Sequence, residues 1–160
     1  MRLTGTGIVE PFRFEEVKRP WGHYGQYSHN EVCTSKILFI KRDQMLSMQY
    51  HFRRDQFYLL LDNDFIIEYS NKPVPQNIIE IVDDDARSRA LEYFLKDNLV
   101  SIIAHEGEMF GFHKLVVHRA VYIGTKPQGR ILDIAFGDND EEDIVRIKDK
   151  YGRAPVAQLD

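Results

Sequence analysis

Cysteine is nearly missing from this chain: Cys33 stands alone among 160 residues. A lone thiol excludes a disulfide framework and a thiolate zinc cluster, and it fits a reducing compartment. Long apolar runs are missing too. No stretch approaches the roughly 20 apolar residues needed to cross a bilayer. The start, Met1-Arg2-Leu3-Thr4-Gly5-Thr6-Gly7, lacks the apolar run of a secretory leader, so a soluble cytoplasmic protein is expected. Basic blocks are also wanting. With 21 Lys plus Arg against 25 Asp plus Glu the net charge is −4, which excludes a generic nucleic-acid surface. Neither nucleic acid nor membrane is an expected partner. There is no low-complexity tract and no convincing internal repeat.

What is there suffices for a core. Apolar residues make up 43%, and the length suits a single domain over residues 1–160. Short strand-like runs dominate: Lys36–Ile40, Phe57–Leu61, Phe65–Tyr69, Asn77–Val82, Leu99–Ala104, Leu115–Tyr122 and Arg130–Phe136. Asp62-Asn63-Asp64 reads as a hairpin turn, because Asn and Asp tolerate positive φ. Lys72-Pro73-Val74-Pro75 breaks pairing. Two segments read as helices. Asp83-Asp84-Asp85 precedes Ala86, Ala90, Leu91, Phe94 and Leu95 at helical spacing. Asp140-Glu141-Glu142-Asp143 opens a second helix over about 140–150 that ends by Tyr151-Gly152. Many short strands with few helices imply an all-β sandwich or barrel.

The chemistry-bearing stretch is Leu46-Ser47-Met48-Gln49-Tyr50-His51-Phe52-Arg53-Arg54-Asp55-Gln56. Gln49 and His51 are two apart and leave an extended segment by the same face. His118, inside Leu115-Val116-Val117-His118-Arg119, can close a cluster with them from a distant strand. Such convergence suggests a metal pocket inside a barrel. His113 falls on the opposite face of its strand. His23, His29 and His105 are expected at the surface.

Three stretches in order resemble one family, the cupin domain of type II mannose-6-phosphate isomerases, within the RmlC-like cupin superfamily. They are Val17-Lys18-Arg19-Pro20-Trp21-Gly22-His23-Tyr24, then Leu46-Ser47-Met48-Gln49-Tyr50-His51 with Arg54, then Glu142-Asp143-Ile144-Val145-Arg146 with Asp149 and Tyr151-Gly152-Arg153. Together they span residues 17–153, leaving 1–16 as an N-terminal arm and 154–160 as a tail. No Gly-rich nucleotide-binding loop precedes Trp21, so the guanylyltransferase activity often joined to this module is not expected of this stretch.

The resemblance implies a cupin, a double-stranded β-helix or jelly-roll barrel, with the Asp83–Asn98 helix as an insertion. It implies a divalent metal (zinc, cobalt, nickel, iron or manganese) on Gln49, His51, Gln56 and His118. Gln56 is a departure, since the family has Glu there. Two imidazoles and two amides bring no negative charge to the ion, so binding is expected to be weaker and Gln56→Glu to tighten it. Asp55 and Asp133 are the carboxylates expected nearby. The same four side chains would also satisfy one another as a metal-free polar core. The implied reaction interconverts mannose 6-phosphate and fructose 6-phosphate. Asp133 stands as acid–base group, or else as a carboxylate paired with Arg119 or Arg54. Arg54 serves catalysis and, with Lys36 and Arg153, binds the phosphate. Arg146 and Arg153 could instead pin the C-terminal helix through Glu142 or Asp149.

Other departures are Arg42-Asp43 for a Pro-Gly turn, Phe112-His113 for Ile-Pro, and Tyr122 for an Asn. Trp21 either closes the mouth over a sugar or anchors a barrel edge. The inserted helix either lids the pocket or packs outside. A sugar-phosphate isomerase is the first expectation, and a binding cupin that lost its carboxylate ligand is the second. A metal-dependent dioxygenase is the third. A homodimer paired through an edge strand or exposed sheet is the expected assembly.

Overall fold

The structure, a computed structural model, describes residues 16–29, 32–137 and 141–153. The arm before residue 16, the tail over 154–160 and the His29 side chain lie outside the described residues. Strands dominate, in two antiparallel sheets. The strands are β1 Glu16–Arg19, β2 Gly22–His29, β3 Cys33–Lys41, β4 Met48–His51, β5 Arg54–Leu60 and β6 Phe65–Pro73. After the helices α1 Gln76–Ile79 and α2 Asp84–Asn98 come β7 Leu99–Ala104, β8 Met109–Phe112, β9 Val116–Tyr122, β10 Gln128–Gly137 and β11 Ile144–Lys148. One sheet runs β1-β2-β3-β10-β5-β8 and the other β11-β4-β9-β6-β7. Every strand pair is antiparallel, and chain neighbours such as β5 and β6 sit in different sheets, as a jelly roll requires.

Alternation decides which side chains enter the space between the sheets. Arg54, Gln56, Tyr58 and Leu60 of β5 are all buried, while the residues between them are part-exposed. Polarity is therefore graded along one strand. Its apolar end joins Leu38, Ile40, Phe65, Ile67, Ala120, Tyr122 and Ile131 in a packed plug. Its polar end meets His51, His118 and Asp133. One half of the interior is a core and the other half is a site.

A second core lies on the outer face of the five-stranded sheet. Met48, Tyr50, Val117 and Val145 receive Leu91, Phe94 and Leu95 of α2, with Val74 and Ile79 beside them. Burying each such large side chain contributes about 1.5–3 kcal/mol. Asp83 caps α2 by accepting from the Ala86 amide at 2.7 Å. The inserted helix is thus where its spacing places it, and it packs outside rather than over the pocket.

Three expectations on local structure are corrected. The helix over 140–150 is a 3-10 turn, Glu141–Asp143, followed by β11, with Asp140 outside the described residues. Ile144, Val145 and Ile147 are β-branched, and β4 offers an edge on which they pair, Ile144 opposite His51 and Val145 opposite Tyr50. Asn77–Val82 is no strand but contains α1, which follows Pro75 and buries Ile79 in the second core. Asp62-Asn63-Asp64 does not join a hairpin, since β5 and β6 belong to different sheets. Asp64 does adopt φ +67, as its residue type allows. The Asp62 carboxylate accepts from the Arg130 amide and guanidinium, fixing the crossover to β10.

Gly22 follows Trp21 for a steric reason. A Cβ there would fall 1.8 Å from the Phe39 carbonyl oxygen across the β2–β3 pair. The close approach helps keep Trp21 6% exposed within the main core.

Candidate functional site

Cross-strand register assembles the site from rows of facing residues. In the six-stranded sheet Asp133 of β10 lies opposite Lys36 of β3 and Tyr58 of β5. One row along, Gln56 lies between Ala135 and Phe112. In the facing sheet Gln49 of β4 pairs with Arg146 of β11 and His118 of β9. Directly opposed residues share a face, so both rows point into one interior.

There three of the four side chains expected to hold a metal, His51, Gln56 and His118, come together, with Gln49 opposite His118 in the register. Gln56 Oε1 is 2.8 Å from His51 Nε2 and 2.8 Å from His118 Nε2. The Gln56 amide nitrogen donates to Asp133 Oδ1 at 2.7 Å. Gln49 accepts from the Ser47 hydroxyl at 2.8 Å. The imidazole rings of His51 and His118 are 5.3 Å apart. His118 also stacks on Phe112 at 4.4 Å, its ring plane fixed by that contact.

The proton positions follow from partners that can only accept. His118 Nδ1 is 2.9 Å from the Val116 carbonyl oxygen, so Nδ1 carries hydrogen and donates. Burial lowers the His118 pKa to about 4, against the smaller raising effect of that bond. The ring is therefore neutral at pH 7, and Nε2 presents a lone pair to the site. His51 is held well below its ordinary value by burial first, then by the charges of Arg54 and His118. Its buried Nδ1 lies 4.0 Å from the Asp143 carboxylate, and neither Nδ1 nor Asp143 Oδ2 has a hydrogen-bond partner among the described residues. At 4.0 Å the Asp143 carboxylate takes no hydrogen bond from Nδ1, whereas Nε2 is 2.8 Å from the Gln56 carbonyl oxygen and donates to it.

The lone pair of His118 Nε2 thus meets the amide oxygen, and acceptors repel one another at such distances. Positive charge among them relieves the repulsion. So does turning the amide, which then requires a proton on Asp133. Neutral imidazole is a good ligand for divalent transition metals, and a carboxylate placed as Asp143 is behind His51 is a customary orienting group. Among the described residues no three His, Cys, Asp or Glu side chains form a metal-holding cluster; the imidazole pair is completed by amides alone.

Around this base the walls are cationic. The cavity is lined by Arg19, Lys36, Arg54, Arg146 and Arg153, with Asp133 as its carboxylate. Its empty volume is about 530 Å³, open solvent at the mouth included. Burial raises the Asp133 pKa, opposed by the Gln56 hydrogen bond and by Lys36 and Arg54. Asp143 is raised by burial too, though the Phe52 and Arg53 amides donate to it at 2.9 and 3.0 Å.

The phosphate candidates Lys36, Arg54 and Arg153 line this one cavity. Arg54 is 5% exposed and sits two residues from Gln56 on the same face. Arg153 also grips Asp149, with its Nε 3.0 Å from Oδ2, so its expected ion pair forms although no helix is there to pin. Arg119 pairs with Glu68 and not with Asp133. Asp55 faces away, accepting from the Lys114 amide and lying 3.5 Å from His113, whose side chain is 85% exposed. His105 is exposed as expected, but His23 is half-buried, stacked on Phe39 at 4.4 Å. Trp21 is buried in the main core as an anchor, and it also lines the cavity.

Sequence reasoning missed Asp143, Tyr58 and Arg19. Asp143 was assigned to a helix start, which hid its role behind His51. Tyr58 had a signal, since it follows Gln56 at the period of a strand. Arg19 lines the mouth through the β1–β2 hairpin, which no single motif predicts.

A family model described as the C-terminal part of mannose-6-phosphate isomerase matches residues 9–82, a stretch that contains Gln49, His51, Arg54 and Gln56. No curated protein matches the sequence. Solved structures do match in shape. KdgF from Halomonas sp. aligns with TM-score 0.55 at 13% identity, covering 83% of this chain and 98% of that one. An RmlC-like cupin from Shewanella frigidimarina aligns with TM-score 0.53 at 15% identity, covering 81% and 87%. The capsular polysaccharide assembling protein CapF from Staphylococcus aureus aligns with TM-score 0.58 at 8% identity, covering 93% of this chain but 34% of that one. At such identities the likeness establishes the cupin fold and nothing finer. Among the described residues no helix is long and apolar enough to cross a membrane.

Proposed function

We propose that this chain, a cupin domain related to the C-terminal part of mannose-6-phosphate isomerase, is a metal-assisted isomerase of a hexose phosphate, in the simplest case mannose 6-phosphate. One observation carries the reading: a single cavity is lined by Gln49, Gln56 and Asp133 together with Lys36, Arg54, Arg146 and Arg153, and the imidazoles of His51 and His118 touch Gln56 from behind its lining. That CapF is described as a capsular polysaccharide assembling protein adds a carbohydrate context.

Moving a proton between C1 and C2 of an aldose requires an acid–base group near C2, charge stabilisation at the two oxygens, and a grip on the phosphate. A divalent metal held by His51, His118, Gln56 and Gln49 would polarise those oxygens as a Lewis acid. Asp133 carries the proton at its carboxyl, which Gln56 orients and burial makes more basic. Arg54, buried beside the imidazoles, binds phosphate oxygens through paired hydrogen bonds, and Lys36 adds a point charge on the opposite strand. Ile144 and Leu46 line the cavity and keep bulk water from the reacting carbons.

The 2.8 Å contacts that pack Gln56 between His51 and His118 favour a second reading, a cupin that binds a sugar phosphate without turnover. A coupled isomerase assay separates the two. Mannose 6-phosphate should be converted with at least one of zinc, cobalt, nickel, iron or manganese, and no turnover with any of them overturns the enzymatic reading. We also infer a homodimer through β7, the terminal strand of its sheet, where Leu99 and Ile103 are exposed. Ile103→Lys should then halve the mass measured by light scattering.

A further inference from the structure

Tyr58 is fully buried, yet it lines the cavity. Its hydroxyl has no hydrogen-bond partner among the described residues. Buried tyrosine hydroxyls nearly always find one, because a desolvated donor left unmade is costly. Nothing about packing demands the oxygen, since a phenylalanine would fill the same place in the row between Asp133 and Phe110. The ring itself is held. It meets Phe112 edge-on at 5.2 Å and His118 edge-on at 5.7 Å, so the hydroxyl cannot swing away to water. Its cross-strand neighbour Asp133 is bound through Oδ1 to Gln56.

We propose that the Tyr58 hydroxyl is a specificity donor, completing its hydrogen bond on an oxygen of the sugar portion of the bound ligand. The assignment rests on the sugar-phosphate reading of this cavity and sharpens it. A donor at Tyr58 and an acceptor at Asp133 stand side by side on adjacent strands, a pair that suits neighbouring carbonyl and hydroxyl oxygens of an open-chain sugar. The phosphate belongs elsewhere, with Arg54 and Lys36. The cost of the unmade bond falls on the free protein and is recovered on binding, so fold stability and affinity should respond to the hydroxyl with opposite signs.

Tyr58→Phe tests this, since it removes one oxygen and keeps the ring. Thermal midpoints are measured without ligand, and calorimetry follows mannose 6-phosphate and inorganic phosphate separately. The expected result is an unchanged or higher midpoint, about tenfold weaker binding of mannose 6-phosphate, and unchanged binding of inorganic phosphate. A lowered midpoint overturns the assignment, because the hydroxyl is then already satisfied within the fold. Unchanged affinity for mannose 6-phosphate also overturns it, as does an equal loss for inorganic phosphate. Wild-type protein that ignores mannose 6-phosphate refutes the sugar-phosphate reading itself, and the midpoint alone then decides whether Tyr58 bears an unmet donor.

Discussion

Replacing Gln56 with glutamate puts a carboxylate where an amide now touches three neighbours. Gln56 Oε1 is 2.8 Å from each imidazole Nε2, and its nitrogen donates to Asp133 Oδ1 at 2.7 Å. In Gln56→Glu that donor becomes an acceptor facing a carboxylate. Two unit charges about 4 Å apart repel by about 4 kcal/mol at an effective dielectric of about 20. That corresponds to about three pK units, so the Glu–Asp pair keeps one proton at neutral pH. A divalent cation at the imidazoles reverses the preference, since the new carboxylate offsets the charge of the ion. Metal binding should therefore tighten and should expel that shared proton. Calorimetry in two buffers of different ionisation enthalpy counts it: about one more proton leaves per zinc in the variant than in the wild type. Without metal, the variant should unfold at lower denaturant above neutral pH. Unchanged zinc affinity, or no extra proton, would remove Gln56 from the metal site and with it the geometric argument for the base of the cavity.

Three further outcomes follow from the same coordinates. His118 has a folded pKa of about 4 against 6.5 for a free imidazole, so the fold favours its neutral form. Its contribution is full above pH 6.5 and is lost as pH falls toward 4, amounting to about 3 kcal/mol. Urea denaturation of metal-free protein should show wild type losing about that much more than His118→Asn across the window, and equal losses would refute it. Leu91→Ala should cost about 2–5 kcal/mol by opening the second core. Because α2 packs on the outer face, ligand affinity of the folded variant should not change, and a weakened affinity would make the helix part of the site. Asp43 holds φ +59 at an exposed turn, where glycine meets no steric penalty. Asp43→Gly should stabilise by up to about 1 kcal/mol in chemical denaturation, and a loss would mean that the exposed 3.9 Å ion pair of Asp43 with Arg42 outweighs the backbone strain.

Much of this molecule was legible because strands announce themselves at short range. The apolar runs Phe57–Leu61, Phe65–Tyr69, Leu115–Tyr122 and Arg130–Phe136 placed β5, β6, β9 and β10 to within a few residues. The spacing of Gln49 and His51, and their motif kinship with a distant His118, pointed to side chains that the fold places near one another. Asp83 and the apolar stripe behind it marked α2 for the same local reason, a cap followed by a helical period.

Where residues pair was another matter. Ile144–Lys148 carries an acidic start that suits a helix, and only an unpaired edge on β4 drew it into a strand. That choice put Asp143 behind His51, a placement set by two residues' neighbours rather than by their own preferences. Asp62-Asn63-Asp64 similarly has turn chemistry that is silent on which sheet follows. Local preference, read along the chain, determined the strands, the inserted helix and the inward-facing imidazoles. Packing between distant segments decided the outer seat of α2, the orphan hydroxyl of Tyr58 and the cationic wall, because pairing energy and burial depend on partners that no local stretch contains.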